Sequence, residues 1–332
     1  MIISQTPLRI SFVGGGTDLK SFYKRTPGMV VSTAIDKYLF VILNERFDNK
    51  IYVNYANKEV VTEVNEIQHD LVRESLLKTG IKHGIEITML ADIPSEGSGL
   101  GSSSSLTVGL LNAMYQFVGE QVTAERLAKE ACDIEINVLK KPIGKQDQYI
   151  AAYGGLRKIV FNTDDSVTVR SLPFDRDMRI RLGSNILLHF TNITRSADVI
   201  LREQKKNTSN KFSLLSDLSS LVPILERELE LSNYDALGFL LKRNWELKKQ
   251  LAKGITKPEI DKMVDLASSN GATGVKISGA GGGGFLLSYV PRSNQDEFRK
   301  AMEAYTELPF MLDPFGSRII FNMRRYNSKI SI

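Results

Sequence analysis

Pro94-Ser95-Glu96-Gly97-Ser98-Gly99-Leu100-Gly101-Ser102-Ser103-Ser104-Ser105 gathers residue types suited to holding an anion. Glycines let the backbone turn its N–H groups inward. A helix start beyond them adds unpaired donors and the positive end of a dipole. That combination cradles phosphate, and the hydroxyls of Ser102 to Ser105 are placed to bond a phosphate oxygen or a magnesium ion. A flexible linker fits poorly, because apolar patterns abut the loop on both sides. An ordinary capped helix start needs one serine rather than four. The pattern is not GxxxxGK[ST] and contains no lysine, which excludes the Walker-type loop.

Three carboxylates stand near other turn signals. Asp147 lies between Gln146 and Gln148, just after Pro142; by itself this pattern reads as a solvated turn. Glu135 shares a helical row with Ala128, Cys132 and Leu139, so it borders the core if that row is partly buried. Asp18 follows Gly14-Gly15-Gly16-Thr17, where it either caps the helix near Leu19 or contacts a ligand. Arg9 sits in the apolar stretch Leu8 to Val13, where alternation lets it face water. A second glycine-rich stretch, Lys276 to Phe285, carries five glycines in six positions. A tight turn rarely needs so many, and close backbone approach to another loop or ligand explains them better. Lys276 itself is expected to support this loop. His69, His83 and His189 have no metal-ligand spacing.

These groups must be positioned by the elements around them. Gly84 to Ala91 reads as a strand entering the Gly/Ser loop, and the helix leaving it ends at Gly119. Thr123 opens another helix, whose apolar stripe is Leu127, Ala131, Ile134 and Val138. Val30–Leu43 and Ile51–Tyr55 read as paired strands joined by a polar turn. Leu156–Phe174 is predicted to be strand-turn-strand, and Ile186–Phe190 a further strand. A helical region spans 197–267, with breaks near 207–210, Pro223, 232–233 and 254–256. Arg318–Asn322 reads as a terminal strand.

Length allows one large domain or two ordinary ones in 332 residues. Hydrophobic residues at 42% and charged residues at 24% are those of a soluble globular protein. The net charge of +5 is spread along the chain, so a nucleic-acid partner is not expected. No apolar run approaches the roughly 20 residues of a membrane span, and no basic-then-apolar leader is evident, so a cytoplasmic location is expected. The lone Cys132 excludes an internal disulfide and suits a reducing compartment.

Three separated motifs resemble those of the GHMP small-molecule kinases: Pro7 to Asp18, Pro94 to Ser105, and Lys276 to Phe285. Their order covers nearly the whole chain. Within that family, Gly14-Gly15-Gly16-Thr17-Asp18 and Gly144-Lys145-Gln146-Asp147-Gln148-Tyr149 are similar to the subgroup acting on D-glycero-D-manno-heptose 7-phosphate. Thr194-Arg195-Ser196 resembles it too. The resemblance implies an α+β, two-domain fold: residues 1–175 as a ribosomal-protein-S5-like ATP-binding domain, and 176–332 as a ferredoxin-like domain with added helices. It implies ATP at Pro94, Gly97, Gly99, Leu100, Gly101 and Ser102 to Ser105. Mg²⁺ would be held by Glu135 and Ser103, and Asp147 and Arg9 would act in catalysis. Sugar would meet Gly15, Gly16, Thr17, Asp18, Gly281 and Gly282, with Arg195 on its phosphate. The implied reaction is phosphorylation of the anomeric hydroxyl, serving nucleotide-activated heptose and surface-polysaccharide synthesis. A fucose or hexose kinase, and a non-catalytic ATP/sugar sensor, are the competing readings. A second copy of the chain is admitted as a partner.

Overall fold

The computed structural model describes residues 1–94, 97–194 and 197–323. β1 (Ile2–Val13) begins earlier than its apolar part and ends where Gly14 turns the chain at φ +87°. Only glycine fits there, because a Cβ would lie 2.0 Å from the Met29 carbonyl oxygen. After the short helix α1 (Lys20–Tyr23), β2 (Gly28–Glu45) returns antiparallel to β1. β3 (Ile51–Asn54) and β4 (Lys58–Val61) form a hairpin, followed by α2 (Asp70–Thr79). β5 (Ile85–Ala91) then inserts between β2 and β3, antiparallel to one and parallel to the other. The expected β2–β3 hairpin therefore does not form. The polar turn at 44–50 links strands two places apart, because β5 supplies the buried partner Ile87 opposite both Leu43 and Val53.

The Gly/Ser loop leads into α3 (Ser102–Val118), which ends at left-handed Gly119. α4 (Ala124–Cys132) is capped by the Thr123 hydroxyl, which accepts from Arg126 N–H at 3.2 Å. It continues into a π-helical turn, Asp133–Val138. That widened turn breaks the 3.6-residue register: Ile134 and Glu135 are buried, whereas Val138 is half exposed. α5 (Gln146–Tyr153) precedes the antiparallel pair β6 (Leu156–Phe161) and β7 (Val167–Ser171), with β6 on β2.

The remaining chain forms α6 (Arg176–Gly183), β8 (Ile186–Phe190), α7 (Ala197–Asn207), α8 (Phe212–Glu230), α9 (Ala236–Lys248) and α10 (Pro258–Ser269). It continues with β9 (Gly274–Ile277), β10 (Phe285–Tyr289) and α11 (Gln295–Ala301). α8 runs unbroken through Pro223. That proline faces solvent, while Leu221, Val222 and Leu225 anchor the helix on either side. The second sheet has the order β8-β10-β9. Residues 306–308 flank the free side of β8, with Phe190 N–H donating to Thr306 O and Leu308 N–H to Leu188 O, each at 2.8 Å. Counting this edge last gives the strand order 4-1-3-2 of a ferredoxin-like unit, into which α7 to α9 are inserted.

β11 (Leu312–Asp313) and β12 (Arg318–Asn322) return to the first sheet, on β2 and β1. α2 to α5 cover one face of that sheet around Val41, Val108, Leu111 and Ile150. α8 and α9 cover the part of the other face formed by Leu8, Ile10 and Phe12. β1 is thus covered on both faces, so its polar residues Ser4, Thr6, Arg9 and Ser11 are buried along with its apolar ones.

Candidate active site

A cleft of about 690 Å³ lies where the two glycine-rich loops, the turn after β1, and the starts of α3, α5 and α7 converge. Gly99 and Gly279 meet there at backbone distance. A Cβ on Gly99 would lie 2.7 Å from the Ser278 carbonyl oxygen, and one on Gly279 2.7 Å from that of Gly99. Gly279 and Gly284 of the second loop are thus explained by close approach to the first, whereas Gly281 and Gly283 are required by close approach to Ile255 and to the Ile193 carbonyl.

Arg9 does not face water. Its side chain lies buried under the cleft, with Nε donating to Asp147 Oδ1 at 2.7 Å and Nη2 to Asp147 Oδ2 at 2.6 Å. Nη1 donates to the Gly99 carbonyl at 2.6 Å. This planar fork aligns the carboxylate against the phosphate loop. Asp147 is therefore no solvated turn residue: it is in the first turn of α5 and lines the cleft. Asp18 does not cap α1, whose cap residue is Leu19. Its Oδ2 instead accepts from the Gln146 backbone N–H at 3.2 Å. Burial, reinforced by the nearby Asp147 charge, pushes the Asp18 carboxyl up to about 6.

Glu135 is wholly buried. Ser103 donates to its Oε1 at 2.6 Å; Ser104 and Gln148 donate to its Oε2 at 2.8 and 2.6 Å. Burial raises its pKa, opposed by Lys141 and these three donors. Lys141 Nζ lies 3.7 Å from Glu135 Oε1 and donates to Ser103 Oγ at 3.2 Å, so a cation already stands beside these oxygens. Carboxylate and hydroxyl are hard donors of the kind magnesium takes. Among the described residues no group of three or more His, Cys, Asp or Glu could hold a metal. The donor set suits an ion bridging to substrate phosphates better than one caged by protein.

The loop residues divide. Gly97, Gly99, Gly101, Ser102, Ser103 and Ser104 line the cleft, as do Gly15, Gly16 and Gly281. Leu100 is packed in the core, while its carbonyl accepts from Arg9 N–H at 2.9 Å. Ser105 turns its hydroxyl to the Pro7 carbonyl at 2.8 Å, and Pro94 lies before the loop, off the cleft lining. Thr17 is buried, bonding the Gly14 and Met29 carbonyls, and Gly282 N–H donates to Ile255 O. Leu100, Ser105, Thr17 and Gly282 hold the loops in shape instead of lining the cleft. Arg195 lies outside the described residues.

Some lining residues carried no sequence signal. Lys248 ends α9 in an unremarkable Lys-Lys-Gln run, yet it is buried in the cleft wall. Lys141, just before Pro142, lines the cleft too, while Gln148, buried off the lining, reaches Glu135 from behind. Lys276 does support architecture, donating to the Ser11 and Phe12 carbonyls at 2.8 and 2.9 Å.

A helix N-terminus behind a glycine-lined cradle, facing a carboxylate gripped by arginine, defines the class of a small-molecule phosphotransferase. The sequence model of the GHMP kinases N terminal domain matches residues 62–155, and that of the GHMP kinases C terminal matches residues 225–307. The chain is 30% identical over 317 residues to the D-glycero-alpha-D-manno-heptose 7-phosphate kinase of Campylobacter jejuni, covering 91% of this chain and 93% of that protein. It is 27% identical to the L-fucokinase/L-fucose-1-P guanylyltransferase of Bacteroides fragilis, over 86% of this chain and 34% of that one. Its fold is similar to the crystal structure of a D-glycero-D-manno-heptose 1-phosphate kinase from Bacteroides thetaiotaomicron, with a TM-score of 0.82 at 23% identity, covering 98% and 100% of the two chains. The chain belongs to the GHMP kinase family, and its two-domain mixed architecture is that family's fold.

Proposed function

We propose that this kinase uses ATP to phosphorylate the anomeric hydroxyl of D-glycero-D-manno-heptose 7-phosphate, giving the 1,7-bisphosphate. The observation that carries the reading is the Arg9–Asp147 fork facing the Gly/Ser cradle. Support for a heptose phosphate comes from the relative at 30% identity. Supply of nucleotide-activated heptose for surface polysaccharide, and a cytoplasmic location, go with this reading. So does a division at 175/176, with β11 and β12 crossing back to the first domain.

Phosphoryl transfer needs alignment and neutralised charge more than covalent catalysis. Backbone N–H groups at the start of α3 hold the nucleotide phosphates. Asp147 orients the acceptor hydroxyl and takes its proton, while Arg9 fixes both carboxylate oxygens. Asp18, beside Gly15 and Gly16, accepts from sugar hydroxyls. Glu135 and Ser103 would hold magnesium, which offsets phosphate charge when bound.

An ADP-release assay with heptose 7-phosphate, heptose 1-phosphate, mannose 6-phosphate, fucose and galactose tests the assignment. Highest kcat/KM on heptose 7-phosphate is expected, with the product carrying phosphate at C1. Preference for heptose 1-phosphate would reverse the position of transfer. Preference for fucose would favour the fucokinase reading, and ATP binding without ADP release on any sugar would make the chain a sensor.

A further inference from the structure

The cations around the cleft differ in what their donors already hold. Arg9 is occupied by Asp147 and the Gly99 carbonyl, and Lys141 lies against Ser103 and Glu135. Lys276 is bonded to the Ser11 and Phe12 carbonyls. Lys248 has a single hydrogen-bond partner among the described residues, the Gly279 carbonyl, although an ammonium carries three donors. It reaches the cleft wall from the last turn of α9, on the side where the two glycine loops meet, and is only 4% exposed. A nearly buried cation with unused donors needs an anion, and among the described residues the charged groups facing it do not supply a direct partner. They are Arg9 from β1, Asp18 after β1, Asp147 from α5 and Lys276 from β9.

We propose that Lys248 is a catalytic residue whose ammonium contacts the phosphoryl group in transit and neutralises its charge. This rests on the phosphotransfer reading above. In the step, the acceptor oxygen forms a bond to the γ-phosphorus while the bond to the β–γ bridging oxygen breaks. ADP leaves with that electron pair, and the acceptor proton passes to Asp147. Lys248 exchanges no proton: its free N–H groups meet the oxygens of the transferred group as charge spreads over them.

Burial, with Arg9 as the second cause, brings the Lys248 ammonium down to about 8, opposed by Asp18 and Asp147. Only the protonated form can serve, so kcat/KM should fall as pH rises through this range.

The test compares Lys248→Met and Lys248→Arg with wild type in ADP release, using whichever acceptor the wild type turns over best, from pH 6 to 9.5. Lys248→Met should lower kcat by about 10²–10³, leave both KM values within about threefold, and remove the basic limb near pH 8. ATP binding by calorimetry should persist. Lys248→Arg should keep more activity than Met and move the limb to higher pH. If Lys248→Met fails to fold, the Arg variant decides alone: a limb left at its wild-type position overturns the proposal. It is also overturned if Met retains kcat within threefold, or raises only the acceptor KM, which would put Lys248 on the acceptor's own phosphate. Loss of ATP binding with the limb intact would make it a brace for the Gly279 loop, again against the proposal. A wild type that releases no ADP with any acceptor would instead overturn the phosphotransfer reading, and this inference with it.

Discussion

Asp147 and Asp18 are neighbouring carboxylates with different environments. Asp147 gives both oxygens to Arg9, and an Asn in its place keeps the shape but cannot take a proton. Asp147→Asn is expected to lower kcat by about 10²–10⁴ while ATP still binds by calorimetry. Turnover within twofold of wild type would remove Asp147 from the chemistry. Asp18 yields a prediction about stability. Its carboxyl is raised from 3.8 to about 6, chiefly by burial. Between those values the folded state keeps a proton that the unfolded state has lost, so stability falls as pH rises across that window and stays lower above it. Asp18→Asn removes this penalty, since its amide oxygen can still accept from Gln146 N–H. The variant should be more stable than wild type by about 2–3 kcal/mol at pH 7.5, and should melt nearly with it at pH 4. Equal stability at both pH values would show that the buried charge costs nothing.

Among the elements, the loop entering α3 is the most constrained. Gly101 takes φ +83° as the residue before the helix, and a Cβ there would lie 3.1 Å from Arg9 Cγ and 3.4 Å from Asp147 Oδ2. A valine adds left-handed strain of roughly 1–2 kcal/mol and pushes its methyl groups toward the Arg9–Asp147 fork. Gly101→Val should therefore weaken ATP binding by about tenfold or more, with the circular dichroism of the folded protein retained. Unchanged affinity in calorimetry would mean that ATP does not approach this turn. The π-helical turn after α4 has a related role. It leaves Glu135 buried beneath Ser103 and Ser104 while turning Val138, the last residue of the expected apolar stripe, out of the core.

At the scale of the whole molecule, the cleft depends on ties between the two sheets. Lys276 on β9 reaches the carbonyls of Ser11 and Phe12 on β1, and Glu226 on α8 bonds Lys158 on β6 at 2.6 Å. Lys276→Met keeps the apolar stem but leaves two buried carbonyls short of a donor. We expect about 2–4 kcal/mol of destabilisation, seen as a lower Tm in thermal unfolding, with weaker binding of both ATP and acceptor. An unaltered Tm would show that the sheets hold together without this tie.

Several features were legible because their causes are local. Gly119 ends α3 in left-handed φ, Thr123 caps α4, and the β6–β7 hairpin turns at its Asn-Thr-Asp-Asp segment. The order of the three motifs likewise carried the family. Tertiary structure alone decided what depends on distant partners. β5 separates β2 from β3, because strand pairing is chosen by a segment about thirty residues downstream rather than by the turn between them. Arg9 is buried because β1 is covered on both faces, which alternation along one strand cannot report. Pro223 stays within α8 because tertiary packing on both sides outweighs one lost backbone donor. Lys248 reads as one more surface lysine until the turn of α9 brings it beneath Gly279; burial, not residue type or spacing, gives that ammonium its chemistry.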